Sequence, residues 1–364
     1  MRLKELMQAL EGIAPFSLQE SYDNSGIQIG SPDQEISRAL ICLDVTEEVL
    51  REAKEKKSDL ILCHHPLIFK GINRLTAISA TERIIMEAVR KDIAIVAVHT
   101  NLDNVHGGVN NKLASVIGLK DLKILKPSKS LLKKLVTFCP TKHADKVRSA
   151  IFEAGAGQIG DYDCCSFNME GKGSFRAGEN TNPFTGSINE LHYEPEVRIE
   201  TIFPAYLQSA VLAAMFASHP YEEVAYDIYP LDNAFNKVGS GMIGVFDEPM
   251  PEKVFLNHLK KTLNVPFLRH TAFVDKPVSC VAICGGSGAF LLQDAIKAGA
   301  QAFVTGDVKY HQFFEAESRI LLIDAGHYET EQFTKELLHS QIKKKLTNFA
   351  LLISEVDNNP VLYY

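Results

Sequence analysis

The sequence of 364 residues predicts an α/β fold in which a discontinuous α/β body is interrupted by an inserted ferredoxin-like α+β domain. Three observations lead to this prediction. Apolar runs without alternation, such as Leu60–Cys63, are typical of strands that are buried on both faces of a parallel sheet. Helical patterns separate these runs, as in right-handed βαβ units. Between the two sets of runs lies a stretch with the order strand, helix, strand, strand, helix, strand.

The first part of the chain, residues 1–127, predicts the first half of the body. Apolar runs predict strands over 27–29, 39–43, 60–63 and 93–98. Apolar residues at helical spacing predict helices over 3–14, 46–57, 76–91 and 107–117. Thr46 is a suitable N-cap for the second of these helices, because Glu47 and Glu48 follow it in the first turn.

The pattern changes near residue 126, and residues 128–234 predict the inserted domain. Strands are predicted over 134–139, the extended segments up to 176, 195–203 and 225–229. Helices are predicted over 143–154 and 205–217, and residues 177–190, rich in Gly, Asn, Thr and Pro, predict a loop. This order is the ferredoxin-like split pattern. The segment His219-Pro-Tyr-Glu-Glu223 is interpreted as a turn before the last strand.

Residues 235–364 return to an α/β pattern and predict the second half of the body. Strands are predicted over 279–284, 301–304 and 320–323, and helices over 252–263, 289–298 and 330–346. Two further segments, 350–353 and 361–364, are predicted to complete a sheet edge.

Composition narrows the classes of function. A formal net charge of −7 argues against a broad nucleic-acid or membrane surface. The sequence contains no run of about 18 apolar residues, so no membrane span is predicted. The seven cysteines are odd in number, and several lie inside apolar strands, where a buried thiol is the usual interpretation. We therefore expect a reduced protein in the cytoplasm.

Polar residues that could bind metal follow the apolar strands. His64 and His65 end one strand, and Asp103 follows another. Adjacent strand residues point to opposite faces, so two neighbouring histidines favour two different ions over one. His327 and Glu331 are four residues apart on a predicted helix start, which places them on one face. Taken singly, each has a structural alternative: a hydrogen-bonded core histidine, a loop cap or a carboxylate that complements the helix dipole.

Taken together, these three histidines and two carboxylates predict a two-metal site with mixed nitrogen and oxygen ligands. Such a set suits Zn, Fe, Mn, Co or Ni, and the spacing does not choose among them. Paired ions commonly activate water for hydrolysis, and Glu331 or Asp103 could bridge them. No Ser-His-Asp or Cys-His nucleophile arrangement is found, and no catalytic residue or organic cofactor is assigned.

Two further features allow more than one interpretation. The stretch Gly285-Gly-Ser-Gly288 precedes a predicted helix and could either bind phosphate through backbone N–H groups or form a tight turn. Asp307 and His311 could contact the ligands or the substrate. His99 could support a metal ligand or be a hydrogen-bonded core histidine.

At this point the chain resembles the Nif-three-like family, also known as GTP cyclohydrolase 1 type 2 homologues. The motifs that carry the resemblance are Tyr22-Asp-Asn-Ser-Gly26, Cys63-His-His-Pro66, His99-Thr-Asn-Leu-Asp103, Gly285-Gly-Ser-Gly288, Thr305-Gly-Asp307 and Gly326-His-Tyr-Glu-Thr-Glu331. They cover both halves of the body. One difference is Tyr22, which stands where the family usually has tryptophan.

The resemblance implies a dinuclear metal site and an assembly around it. The implied metal ligands are His64, His65, Asp103, His327 and Glu331, holding two divalent ions per chain, with Zn, Fe or Mn expected. It also implies a homo-oligomer, a toroidal hexamer, whose sites face an internal cavity. The stretches Ala154-Gly-Ala-Gly-Gln-Ile-Gly160 and His219-Pro-Tyr-Glu-Glu223 look like the PII-like insert of longer members.

Two functions follow as hypotheses. The first is a metal-dependent hydrolase of GTP-cyclohydrolase type, which acts on a nucleotide or a related heterocycle as its small-molecule substrate. The second is a non-enzymatic metal-binding or regulatory ring, in which the insert senses a ligand.

Overall fold

The computed structural model describes residues 1–362 of the chain, which divides into two compact units. The first unit combines residues 1–126 with residues 237–364. The second unit spans residues 127–236. The candidate metal ligands all belong to the first unit, so its sheets determine where these side chains lie.

The first part of the chain alternates short strands with helices. Its strands are β1 (Gly26–Ile29), β2 (Arg38–Cys42), β3 (Leu60–Cys63), β4 (Ala94–Ala97) and β5 (Lys120–Ser128). Its helices are α1 (Leu3–Glu11), α2 (Glu47–Glu55), α3 (Ala80–Arg90), α4 (Thr100–Asp103) and α5 (Val109–Ile117). The Thr46 hydroxyl accepts a hydrogen bond from the Val49 backbone N–H at 3.3 Å, which confirms the predicted N-cap of α2.

Residues 127–236 form one antiparallel sheet with two helices. The elements are β6 (Leu132–Pro140), α6 (Ala144–Glu153), β7 (Phe167–Arg176), β8 (Leu191–Pro204), α7 (Gln208–Ser218) and β9 (Tyr226–Leu231). This is the order that the sequence predicts for the segment. The sheet order is β7-β8-β6-β9, and all three neighbouring pairs are antiparallel. Val147 and Ile151 of α6 join Val211 and Met215 of α7 in a buried apolar cluster that stabilises this unit.

The last part of the chain completes the first unit. Its strands are β10 (Phe235–Met250), β11 (Arg269–His270), β12 (Val278–Ile283), β13 (Ala302–Thr305), β14 (Leu321–Asp324) and β15 (Ala350–Ile353). Its helices are α8 (Glu252–Leu263), α9 (Leu292–Lys297), α10 (His327–Glu331) and α11 (Thr334–Lys345).

The strands of the first unit form two sheets. One has the order β1-β4-β3-β2-β15, in which β4, β3, β2 and β15 are parallel and β1 is antiparallel. The other has the order β11-β14-β13-β12-β10-β5, with β12, β13 and β14 parallel. Strand β15 therefore completes the edge of the first sheet, as predicted. The apolar strands that end in polar residues are divided between the two sheets.

The central strands are buried on both faces, as their unbroken apolar sequences predict. Every residue of β3, β4, β13 and β14 is buried. Neighbouring strands and helices share their apolar clusters, including Phe255 of α8 in the second sheet's core. A strand covered in this way is rigid, and the polar residues at its end are held in fixed positions.

Two predicted helices differ from the observed ones. The predicted helix over 76–91 begins only at Ala80, because the Glu82 carboxylate accepts hydrogen bonds from Thr76 and Ile78 and holds them as a loop. In place of the single helix predicted over 330–346, the structure has α11, which begins at Thr334 after a break that separates it from α10. At that break the Gln332 side chain donates to the Leu263 carbonyl at 2.9 Å.

The strand predictions also need correction. Strands β5, β10 and β11 were not predicted. Charged residues in β5 leave an apolar run of only Ile124 and Leu125, the glycines of β10 interrupt its apolar pattern, and β11 has only two residues. The strand predicted over 361–364 lies partly outside the described residues, and residues 361–362 belong to no strand. Among the helices of residues 1–362, none is both long and apolar enough to cross a membrane.

Candidate metal centre

Two adjacent histidines follow the buried strand β3. This strand pairs with β2 on one side and β4 on the other, so its end is fixed within the sheet. Backbone hydrogen bonds hold the turn, because the N–H groups of His64 and His65 both donate to the Leu43 carbonyl, at 3.1 and 3.0 Å. The two imidazole rings are then 4.9 Å apart and tilted by 46°. They can therefore face different partners.

His64 is fully buried, and one of its ring nitrogens has no partner. Its Nδ1 lies 2.8 Å from the Val98 carbonyl oxygen, so Nδ1–H donates and Nε2 carries the lone pair. Among the described residues, Nε2 has no hydrogen-bond partner. It lies 3.6 Å from Asp103 Oδ1, which also lacks a partner in this part of the chain. Burial lowers the pKa of His64, which keeps the imidazole in the neutral form that binds metals.

His65 is held between two carboxylates. Its Nδ1 lies 2.8 Å from Asp44 Oδ1, and its Nε2 lies 2.9 Å from Glu331 Oε2. Burial acts to lower its pKa, but these two carboxylates raise the pKa of His65 to about 10. Asp44 thus fixes the ring and turns Nε2 towards Glu331.

The second sheet contributes His327 and Glu331 through the short helix α10. The spacing of four residues brings His327 Nε2 to 3.0 Å from Glu331 Oε2, on one face of the helix as predicted. His327 Nδ1 lies 2.7 Å from Asp307 Oδ2, and its Nε2 lies 3.3 Å from His65 Nε2. Despite burial, the two carboxylates raise the pKa of His327 to about 9. The two sheets therefore meet at these side chains.

The five predicted ligands lie together in the structure. His65, His327 and Glu331 form one group that could hold a metal ion, with ligand atoms within 4.8 Å of one another. His64, Asp103 and Glu331 form another group within the same limit. Glu331 belongs to both groups, and each of the adjacent histidines belongs to a different one. That these residues bind metal stays a prediction.

The charges of Asp103 and Glu331 indicate whether a metal cation suits this group of residues. Burial and the neighbouring Glu331 raise the pKa of Asp103 well above its usual range. Although burial acts to raise it, hydrogen bonds from the surrounding histidines hold the pKa of Glu331 well below its usual range. Two carboxyl groups so close together, one buried and one half-buried, cannot both ionise readily without a positive charge between them. A divalent cation supplies that charge, and the unpartnered His64 Nε2 supplies a lone pair, so these residues fit a metal ion.

His99 belongs to a third group that overlaps the others. It could share a metal ion with His64 and His65, and its ring centre lies 5.2 Å from that of His64. Its Nδ1 lies 2.8 Å from Asp23 Oδ1. The Asp23 carboxylate also accepts a hydrogen bond from the Thr100 backbone N–H at 3.0 Å. His99 is therefore a fixed neighbour of the candidate ligands.

The glycine stretch forms a tight turn, which was one of its two predicted roles. The backbone N–H groups of Gly285, Gly286 and Gly288 already donate to protein side chains, at 2.8 to 3.0 Å. They are not free to bind phosphate. A Cβ at Gly286 would lie 2.3 Å from Glu331 Oε1, so this glycine makes room for the carboxylate.

A cavity of about 600 Å³ opens beside the candidate ligands. His65, His327 and Asp307 line one part of it, and aromatic residues line another. A volume of this size accommodates a small molecule. His311 does not take part, because it lies in a 3₁₀ turn where its ring packs near Tyr310 and Phe314.

Two carboxylates at the centre were not predicted as part of it. Asp44 follows β2, and Asp23 lies in the turn-rich segment before β1, where aspartate commonly caps a turn. Asp44 follows a strand, as the predicted ligands do, but its contact with His65 depends on the pairing of β2 with β3. The turn position of Asp23 gave no signal of its contact with His99.

Comparisons with known proteins agree on one family. Residues 1–360 match the profile described as Duf34/NIF3 (NGG1p interacting factor 3). A GTP cyclohydrolase 1 type 2 homolog of Halalkalibacterium halodurans is 40% identical over 363 residues, covering 98% of both chains. The Bacillus subtilis protein of the same name is 38% identical over 366 residues, covering 99% of this chain and 98% of its own.

A solved structure supports the same assignment. The crystal structure of a Bacillus cereus protein related to NIF3 has a TM-score of 0.88 and 38% identity. It covers 100% of this chain and 99% of its own. The likeness confirms the mixed α/β fold and the resemblance that the motifs indicated. The chain belongs to the Duf34/NIF3 family.

Proposed function

We propose that this protein binds two divalent metal ions and is a metal-dependent hydrolase of GTP-cyclohydrolase type, acting on a nucleotide or a related heterocycle. The observation that carries the proposal is the position of Glu331, which belongs to two groups of possible ligands at once. His65 and His327 would hold one ion with Glu331, and His64 and Asp103 would hold the other. Zn, Fe and Mn are the metals that the family resemblance implies for this set.

The ligands are oriented by their own hydrogen-bond partners. Asp44 fixes His65, Asp307 fixes His327, and the Val98 carbonyl fixes His64. Such partners set the ring position and raise the basicity of the ligating nitrogen. When bound, paired divalent ions supply Lewis acidity and make water a better nucleophile at neutral pH.

The cavity supports a flat, polar substrate. Phe69, Phe267 and Tyr328 line it with aromatic surface, against which a heterocyclic ring can pack. Arg269 also lines it, and its guanidinium donates to Asp324 at 2.9 Å. A purine or a related ring matches the aromatic surface. The names of the relatives point to the same class of reaction.

The test is release of formate from GTP by protein that is loaded separately with Zn, Mn or Fe. The Glu331→Gln variant keeps the side-chain shape but removes the Glu331 carboxylate, which both groups of ligands share. Formate release should therefore fall to background. Glu48→Gln is the matched control, because Glu48 is an exposed carboxylate on α2. Formate release by Glu331→Gln at the wild-type rate would contradict the role of Glu331. No formate under any metal would reject GTP as the substrate.

The second candidate is a non-enzymatic metal-binding or regulatory ring whose inserted domain senses a ligand. It is favoured by the separate apolar cluster of residues 127–236, which a simple hydrolase does not need. We propose that residues 128–234 are an inserted PII-like domain between two body halves, 1–127 and 235–364. Strands β5 and β10 are neighbours in one sheet, so a short linker can replace the insert.

Deleting residues 128–234 discriminates between the two functions. A hydrolase whose chemistry resides in the body keeps its turnover, whereas a regulatory ring loses its response to ligand. The proposed assembly is a toroidal hexamer, and light scattering on the full-length protein measures its mass. A monomer at micromolar concentration would reject the hexamer without affecting the metal proposal.

A further inference from the structure

A second cavity lies wholly within the unit of residues 127–236 and contains none of the proposed metal ligands. Its volume is about 420 Å³. It is bordered by β6, the end of β7 with the loop that follows, β8, and the segment before β9. Cavities of about 300–1,000 Å³ with aromatic walls and a few polar groups are typical of small-molecule sites. The chemistry of the lining then indicates which molecules would bind.

Aromatic rings form one wall of this cavity. The ring centre of Tyr221 lies 6.2 Å from that of Phe175 and 6.2 Å from that of Phe184. Phe138 also lines the cavity. Phe184 is 53% exposed and lies in the loop between β7 and β8, outside any strand or helix. Aromatic faces carry partial negative charge and attract organic cations.

A carboxylate stands at the edge of this aromatic wall. Glu196 Oε1 accepts a hydrogen bond from the Tyr221 hydroxyl at 2.8 Å. Within residues 1–362, no Lys, Arg or His forms an ion pair with Glu196, whereas its neighbours Glu194 and Glu200 both have such partners. Glu196 therefore offers an uncompensated negative charge beside aromatic rings.

The backbone is shaped to admit this carboxylate. A Cβ at Gly173 would lie 2.0 Å from Glu196 Oε2 and 2.6 Å from its Cδ. Glycine at this position of β7 therefore leaves room for the Glu196 carboxylate where the structure places it. The rim is also fixed, because Glu222 Oε1 accepts a hydrogen bond from the Asn182 backbone N–H at 2.9 Å.

The charged residues that line the cavity favour a cationic ligand over an anionic one. Three carboxylates, those of Glu196, Glu222 and Glu223, line the cavity with one guanidinium, that of Arg176. This excess of negative charge repels phosphate, so a nucleotide is a poor match even though its base could stack on the rings. A positively charged group gains from both the carboxylates and the rings.

We propose that this cavity binds a small organic cation, an ammonium or guanidinium compound, with its charge at Glu196 and its apolar part against Tyr221, Phe175 and Phe184. The proposal goes beyond the metal chemistry and does not depend on it, because every lining residue belongs to residues 127–236. The cavity gives this unit a binding site of its own.

Calorimetric titration of the full-length protein tests the proposal with three probes that share a benzyl group. Benzylammonium and benzyltrimethylammonium carry a positive charge, and benzyl alcohol is neutral. We expect saturable binding of a charged probe at millimolar concentration or below, and about tenfold weaker binding of the alcohol. Equal affinity for the alcohol, or no saturable binding of either cation, would overturn the proposal.

Variants locate the binding in this cavity. Glu196→Gln removes the charge but can still accept the hydrogen bond of Tyr221, and it should weaken cation binding about tenfold. Glu170→Gln makes the same change of charge on β7 outside the cavity and should leave the affinity unchanged. Phe184→Ala, at an exposed position, should also weaken binding and serves if Glu196→Gln does not fold. Unchanged affinity in both cavity variants would refute the site.

Discussion

The substitution Gly286→Ala tests how closely the glycine turn is fitted to the proposed metal ligands. Gly286 has a φ of +60°, and a Cβ there would lie 2.3 Å from Glu331 Oε1. Real Cβ contacts are longer than 3.0 Å, so the carboxylate has to move away by several tenths of an ångström. Metal–ligand distances vary by only about 0.2 Å. The displaced carboxylate should therefore bind metal poorly.

Two separate effects are expected, and each has its own magnitude. Alanine in the left-handed region costs about 1–2 kcal/mol of folding stability. Displacing Glu331 should lower metal affinity about 10–100-fold, as loss of a ligand's support usually does, which is about 1.4–2.7 kcal/mol of binding free energy. The matched control is Gly299→Ala, because Gly299 has a φ of +81° and open space around its Cβ position. It should lose stability but no metal affinity.

The assay is competition for metal against a chromophoric chelator, alongside thermal unfolding of each metal-free variant. Gly286→Ala and Gly299→Ala should unfold at similar temperatures. Only Gly286→Ala should lose its metal at a lower chelator concentration than the wild-type protein does. Equal metal affinity in both variants would refute the argument that the turn exists to position Glu331.

Two further predictions concern a ligand's partner and a buried carboxylate. Asp307→Asn removes the charge behind His327 Nδ1, at 2.7 Å, and should weaken metal binding about tenfold in the same competition; wild-type affinity would contradict an orienting role. Glu52 has a pKa below its usual range, because the Glu355 backbone N–H and Lys56 outweigh its burial. Its stabilising effect is therefore complete above the unfolded carboxyl pKa of about 4.3 and is lost as pH falls through the lower folded value. Thermal unfolding should show a smaller loss of stability below pH 5 in Glu52→Gln than in the wild-type protein, and identical pH curves would contradict this.

The side chains that lie together at the candidate metal centre could be predicted because their signal is local. His64 and His65 end a strand that no polar residue interrupts, and His327 and Glu331 have a spacing that helical geometry brings together. The division into two sheets could not be predicted, because apolar runs indicate strands but do not say which strands pair. Asp44 was missed for a related reason, since its contact with His65 depends on strand pairing.

The cavity within residues 127–236 also depends on contacts that the local sequence does not indicate. Glu196 lies in an alternating strand where a glutamate is expected to face solvent, and Tyr221 lies in a segment that the sequence indicates only as a turn. The contact between them joins residues 25 positions apart. A predicted helix boundary was wrong where a side chain, that of Glu82, accepts hydrogen bonds from backbone N–H groups in a loop.

The central claim is that Glu331 would help to hold each of two metal ions, and the most direct test is the metal content of each variant. The measurement is metal per chain by plasma mass spectrometry, after dialysis against Zn²⁺ and removal of free ion. The wild-type protein and the Glu48→Gln control should hold two ions per chain, Asp103→Asn should hold one, and Glu331→Gln should hold fewer than one. A wild-type protein that binds no more than one ion, or a Glu331→Gln variant that retains two, would contradict the account.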